Sequence, residues 1–151
     1  MTGILTFGGP KVGAIGIAAE NTARETSFLK AVAQRAEDKI GGSGSSAGST
    51  KHAYASELAE RYQKQSGPVG RGLSTEQNYK EGEHLGQNVN EKGSVRLDVV
   101  AGKLDRPAKV YDYKFTKDPN PTMSARRVQQ IQEHSGVKPA PVIIRPPPKS
   151  T

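Results

Sequence analysis

In residues 94–101 and 109–116 apolar or aromatic side chains recur at every second position, and this constrains the chain more than any other feature. In the first stretch Val95, Leu97 and Val99 alternate with Arg96 and Asp98; in the second, Tyr111, Tyr113 and Phe115 alternate with Val110, Asp112 and Lys114. A period of two marks a half-buried β-strand, because successive side chains leave a pleated backbone on opposite faces. Residues 102–107 are few enough to join the two strands as a hairpin. If the strands pair, Asp98 comes within reach of Asp112. Lys114 shares the face of Asp112, opposite the aromatic face, which must be the more firmly packed one.

The flanking patterns supply the remaining elements. Thr50 can cap a helix over residues 50–65, with Tyr54, Leu58 and Tyr62 as a packing stripe and Gly67 and Pro68 closing it. Residues 73–79 read as a first strand, ended by a turn at Glu81 and Gly82, and residues 86–92 as polar loop. Residues 124–135 form a helix stopped by Gly136, with Ala125, Val128 and Ile131 on one side. Residues 141–145 make a last short strand before the proline-rich tail, 146–151. From residue 50 the order is αβββαβ, an α/β (α+β) chain with a mixed central sheet flanked by helices.

A chain of 151 residues has room for one ordinary core, and with 33% hydrophobic residues, 17 Gly and 10 Pro, part of it is expected outside that core. Residues 1–49 fit as a lead-in. Thr22 and Glu25 have capping-box spacing, Phe28, Ala31, Val32 and Ala36 follow at helical intervals, and Gly41 and Gly42 end the pattern. Residues 41–49 are nearly all Gly and Ser, the composition of a flexible linker, which puts a boundary near residue 49 and the folded domain over 50–145. The apolar run over residues 3–19 is broken by Gly8, Gly9, Pro10 and Lys11. It falls short of the ~20 residues a membrane helix needs and lacks a basic leader, so neither a membrane span nor a signal peptide is expected.

The absence of cysteine excludes disulfides and thiolate zinc, and His52, His84 and His134 share no metal-ligand spacing. A metal would therefore have oxygen ligands. Two carboxylates as close as Asp98 and Asp112 repel one another unless a divalent cation sits between them, and Mg²⁺, with Mn²⁺ as a substitute, is the natural hard ion. Phosphodiester hydrolysis needs such a cation together with a fixed positive group. Lys114 can orient the attacking water or stabilise the pentacovalent phosphate. A net charge of +7 attracts polyanions, and His52 at the start of the first domain helix is a candidate phosphate contact. Two blander alternatives stand beside this: a solvated strand face at Asp112 and Lys114, and a basic module that binds nucleic acid without chemistry.

The element order and the pair Asp98 with Asp112-Tyr113-Lys114 resemble the PD-(D/E)xK, or restriction-endonuclease-like, superfamily. More narrowly, GSVRLDVV, VYDYK and RRVQQIQEH are similar to nuclease domains at the C-termini of bacterial polymorphic toxins, including Rhs-type, contact-dependent inhibition and type VI secretion effectors. The resemblance covers residues 50–145; Leu97 stands where the name-giving proline would be, and the third motif has Asp112 rather than Glu. It implies an αβββαβ core, Mg²⁺ on Asp98 and Asp112, and hydrolysis of DNA, with tRNA or other RNA as the alternative substrate. It also implies delivery within a larger effector, action in the cytoplasm of a target bacterium, and an acidic cognate immunity protein. A further carboxylate usually completes such a site: Glu76 is favoured, with Glu57 and Glu60 in reserve. Arg127, Gln130 and His134 form a polar stripe on the second domain helix that is expected to touch the phosphate backbone.

Overall fold

The computed structural model describes residues 9–65 and 72–146; the expected helix stop at Gly67 and Pro68, the apolar segment before residue 9 and the tail from residue 147 lie outside them. The elements run α1 (Gly9–Ile40), α2 (Gly44–Gln65), β1 (Leu73–Lys80), β2 (Glu83–Gly86), β3 (Val95–Lys103), β4 (Arg106–Tyr113), α3 (Ala125–Ser135) and β5 (Val142–Ile144). This is the mixed α+β architecture that the patterns predict, with one further strand. Glu81 and Gly82 both take positive φ, 50° and 84°, the geometry of a two-residue hairpin, and so they return the chain as β2. The sheet order is β2-β1-β3-β4-β5, antiparallel except for the β4–β5 pair, whose connection runs through α3.

The sheet is packed on both faces. On one, Leu29, Val32, Ala33 and Ala36 of α1 and Ala55, Leu58 and Ala59 of α2 cover Leu73, Val99, Ala101, Tyr111, Tyr113 and Ile144. On the other, Ile131 of α3 and the following Val137 cover Tyr79, Val95, Leu97, Val100 and Val110. Tyr111 and Tyr113 are buried, as the aromatic alternation requires. Ser124 caps α3 by accepting from the Arg127 amide, and Gly136 ends it at φ 78°.

The N-terminal region departs from expectation. α1 is part of the core rather than a loosely held lead-in, since four of its apolar residues are buried against the sheet layer. Thr22 and Glu25 lie inside this helix, where backbone amides already have carbonyl partners and need no cap. Their side chains reach across the chain instead: Lys109 Nζ donates to Thr22 Oγ1 and Glu25 Oε1, both at 2.7 Å, and the Tyr111 hydroxyl donates to Glu25 Oε1 at 2.6 Å. The expected Gly/Ser linker is also mostly helix, because α2 begins at Gly44 rather than Thr50. Glycine and serine are poor helix formers, so tertiary contacts must hold this start in place. Lys51, only 3% exposed, forms an ion pair with Glu37 of α1 and donates to the Gly42 carbonyl at 2.7 Å, fastening α2 to the end of α1. The actual connection is residues 41–43, with Gly41 at φ 64° and Gly42 at φ 81°.

Two irregularities shape the lower end of the sheet. Strict alternation would put Leu97 and Val99 on one face, yet Leu97 packs under α3 and Val99 under α1 and α2. The strand changes face at Asp98. On β1 the matching residue is Glu76, at φ 50°, bracketed by the pairs Thr75↔Val99 and Gln77↔Leu97. The second irregularity is a fork. β3 and β4 pair from Lys103↔Arg106 to Val99↔Tyr111 and no further; β4 continues only against β5, through Asp112↔Ile143 and Tyr113↔Ile144. β4 ends at Tyr113, short of residue 116, and Lys114 follows with its amide on the Ile144 carbonyl at 2.8 Å. Among the described residues no helix is long and apolar enough to cross a membrane.

Candidate active site

The fork sets Asp98 and Asp112 side by side without a backbone ladder between them. With no β3 carbonyl opposite, the Tyr113 amide donates to Asp98 Oδ2 at 2.8 Å, which fixes one carboxylate beside β4. From α2, His52 Nδ1 lies 3.5 Å from the same oxygen, and its ring stands edge-on to Phe115 and Tyr113 with centroids 5.2 and 6.0 Å away. Lys114 Nζ is 3.3 Å from Asp112 Oδ2. The geometry of that pair is ionic rather than hydrogen-bonding, so Asp112 Oδ2 is a buried oxygen without a hydrogen bond.

The two carboxylates are electrically unlike. Burial, then the charge of Asp98, pushes Asp112 up to about 6 despite the opposing pull of Lys114. Burial also acts to raise Asp98, but the hydrogen bond and charge of His52 and the Tyr113 amide outweigh it and hold Asp98 below the usual carboxylate range. The same bond to Asp98 raises His52 against the effect of its own burial. One strongly acidic and one reluctant carboxyl, adjacent, make a pair that can share a proton when nothing else neutralises it.

The fork opens into a cavity of about 1080 Å³. Its walls are the start of α2 (Gly44, Ser45, Gly48, Ser49, His52), the loop residues Asn88–Glu91, the β1 residues Glu76 and Asn78, and Arg96, Lys114 and Arg127. The small residues that make α2 a weak helix also leave the space in front of the carboxylates free.

Of the residues singled out in the sequence, the structure brings Asp98, Asp112, Lys114, Glu76, His52 and Arg127 to this one cavity. His52 is turned to Asp98, which gives it a position that its place in the sequence did not suggest. Gln130 and His134 do not line the cavity, and His134 Nδ1 instead accepts from the Glu81 amide at 2.9 Å, tying α3 to the β1–β2 turn. The reserve carboxylates are elsewhere. Glu60 accepts from Gln87 Nε2 at 2.7 Å and from the Thr75 hydroxyl, and Glu57 is exposed beside Arg61 at 3.4 Å. Arg96 was not singled out, though its spacing of two from Asp98 could have flagged it.

A divalent cation is compatible with these residues. Asp112 Oδ2 lacks a hydrogen bond, its carboxyl resists ionisation because of burial and the Asp98 charge, and the neighbouring oxygen ligand is a second carboxylate. Among the described residues no three His, Cys, Asp or Glu side chains converge as a ligand cluster, so Glu76 lines the cavity without completing a set. Two carboxylates suit Mg²⁺, which usually keeps several waters, better than a fully protein-enclosed ion. Compared with family models, curated proteins and solved structures, the chain matches none.

Proposed function

We propose that this chain is a Mg²⁺-dependent endonuclease that hydrolyses phosphodiester bonds, with DNA as the favoured substrate and tRNA or other RNA as the alternative. The observation that carries this reading is the fork: a buried, non-hydrogen-bonded Asp112 oxygen beside Asp98, with Lys114 3.3 Å away, facing an open cavity. Asp98 and Asp112 would hold the cation, which would polarise a phosphoryl oxygen and acidify a water. Lys114, 3.3 Å from Asp112, is placed to donate to the phosphate as negative charge builds on it. The Tyr113 amide and His52 keep the Asp98 carboxylate ionised and oriented. No side-chain nucleophile is required.

The sequence resemblance to toxin nuclease domains extends the reading to a role: delivery within a larger effector, action in the cytoplasm of a rival bacterium, and neutralisation in the producer by an acidic immunity protein that covers the cavity.

The test incubates the purified chain with plasmid DNA and, separately, with total tRNA, in Mg²⁺, in Mg²⁺ with EDTA, and as a Lys114→Ala variant of verified fold. Degradation of one substrate that disappears in both controls is the expected result and identifies the target. If neither is cut with Mg²⁺ or Mn²⁺ while nucleic acid still binds, the chain is a binding module.

A further inference from the structure

Three cationic side chains other than His52 line the cavity, each from a different part of the fold. Lys114, after β4, is held by Asp112. Arg96 comes from β3 and Arg127 from the first turn of α3, and neither guanidinium has an acidic or hydrogen-bonding partner among the described residues. Arg96 is two residues from Asp98, so it projects from the same branch of the fork about 7 Å further along the strand. Arg127 enters from α3, which packs on β1, β2 and β3. A guanidinium is permanently charged and its planar fork of donors fits phosphate oxygens, so two free ones facing one cavity favour an anion with more than one charged group.

We infer that Arg96 and Arg127 contact two different phosphates near the scissile one, so that the cavity takes a polynucleotide strand and not a mononucleotide. The inference rests on the nuclease reading for its scissile phosphate, but it is readable without cleavage.

The experiment measures binding of a fluorescein-labelled single-stranded oligonucleotide to the full chain by anisotropy, in EDTA, across a KCl series. Each phosphate contact adds about 0.7 to the slope of log affinity against log salt on a single strand. Arg96→Gln and Arg127→Gln are each expected to make that slope shallower by about this amount, whereas Arg96→Lys and Arg127→Lys keep it. Arg126→Gln is the control, since Arg126 is exposed on α3 and outside the cavity; it is expected to keep the wild-type slope. Unlabelled mononucleotide should fail to displace the probe at concentrations where an unlabelled 12-mer does. Unchanged slopes in the two glutamine variants overturn the contacts, as does an equal loss in Arg126→Gln; displacement by mononucleotide overturns the polynucleotide strand. Cleavage with unchanged slopes defeats this inference alone. An inert chain whose slopes fall as expected defeats the nuclease reading and leaves the contacts standing.

Discussion

The β3–β4 hairpin is one continuous sequence pattern, but its two halves do different physical work. From Lys103↔Arg106 to Val99↔Tyr111 the strands are laddered, and Val99, Val100, Ala101, Val110 and Tyr111 are buried in the layers on either face. Beyond Val99 the ladder stops, the alternation breaks at Asp98, and two carboxylates and a lysine line an open cavity. The cavity arises from the end of the pairing. The contrast predicts opposite responses to mutation. Tyr111 is fully buried, and Tyr111→Ala is expected to cost about 3–5 kcal/mol by removing a large core side chain. Lys114 is partly exposed, and Lys114→Ala should cost less than about 1 kcal/mol while lowering the cleavage rate about a hundredfold or more. Urea denaturation of both variants checks the first quantity. If Lys114→Ala unfolds the chain as readily as Tyr111→Ala, the fork is structural and the comparison fails.

A smaller effect sharpens the comparison through pH. In the fold Asp112 is pushed up from 3.8 to about 6, so between those values the folded state holds a proton that the unfolded state has lost. Stability therefore falls as pH rises through this window. His52, raised above 6.5, acts in the same direction: its contribution is complete below that value and is lost as pH climbs through its folded value. Asp98 is depressed, so its contribution is lost only as pH falls below the window. Asp112→Asn removes the Asp112 cost and keeps the bond between His52 and Asp98. The variant is expected to gain on wild type by about 1–3 kcal/mol between pH 4 and pH 7, while losing activity. Urea melts at pH 4, 5.5 and 7 without metal measure this, and a difference that does not grow with pH would show that Asp112 carries no buried-charge cost.

Much of this was written in the alternation. The buried aromatic pair Tyr111 and Tyr113, the stop at Gly136 and the common face of Asp112 and Lys114 all follow from local periodicity and turn chemistry. What stayed hidden depends on distant contacts. Residues 44–49 carry the composition of a linker, and only the buried Lys51, bound to Glu37 and Gly42, makes them helix. Thr22 and Glu25 look like a cap until Lys109 and Tyr111 reach them from the sheet. The face switch at Asp98 and Glu76 breaks the period-two rule at the very residue that the rule had nominated. Pattern alone could name the two carboxylates, but not the end of pairing that sets them beside a cavity.

The polar stripe on α3 shows the same division over one helix, with a smaller consequence. Arg127 and His134 are seven residues apart on one helical face, so the sequence gives them a common role. The structure separates them: Arg127 lines the cavity, whereas His134 Nδ1 accepts from the Glu81 amide and its carbonyl accepts from Gly82 at 2.9 Å. His134 thus holds the β1–β2 hairpin, which precedes the loop Asn88–Glu91 on the cavity wall. His134→Ala removes one partly exposed hydrogen bond and is expected to cost about 1 kcal/mol, with oligonucleotide affinity and its salt dependence at wild-type values. Urea denaturation and the anisotropy titration measure both. A loss of affinity without a loss of stability would return His134 to the substrate and extend the phosphate-binding surface along the whole of α3.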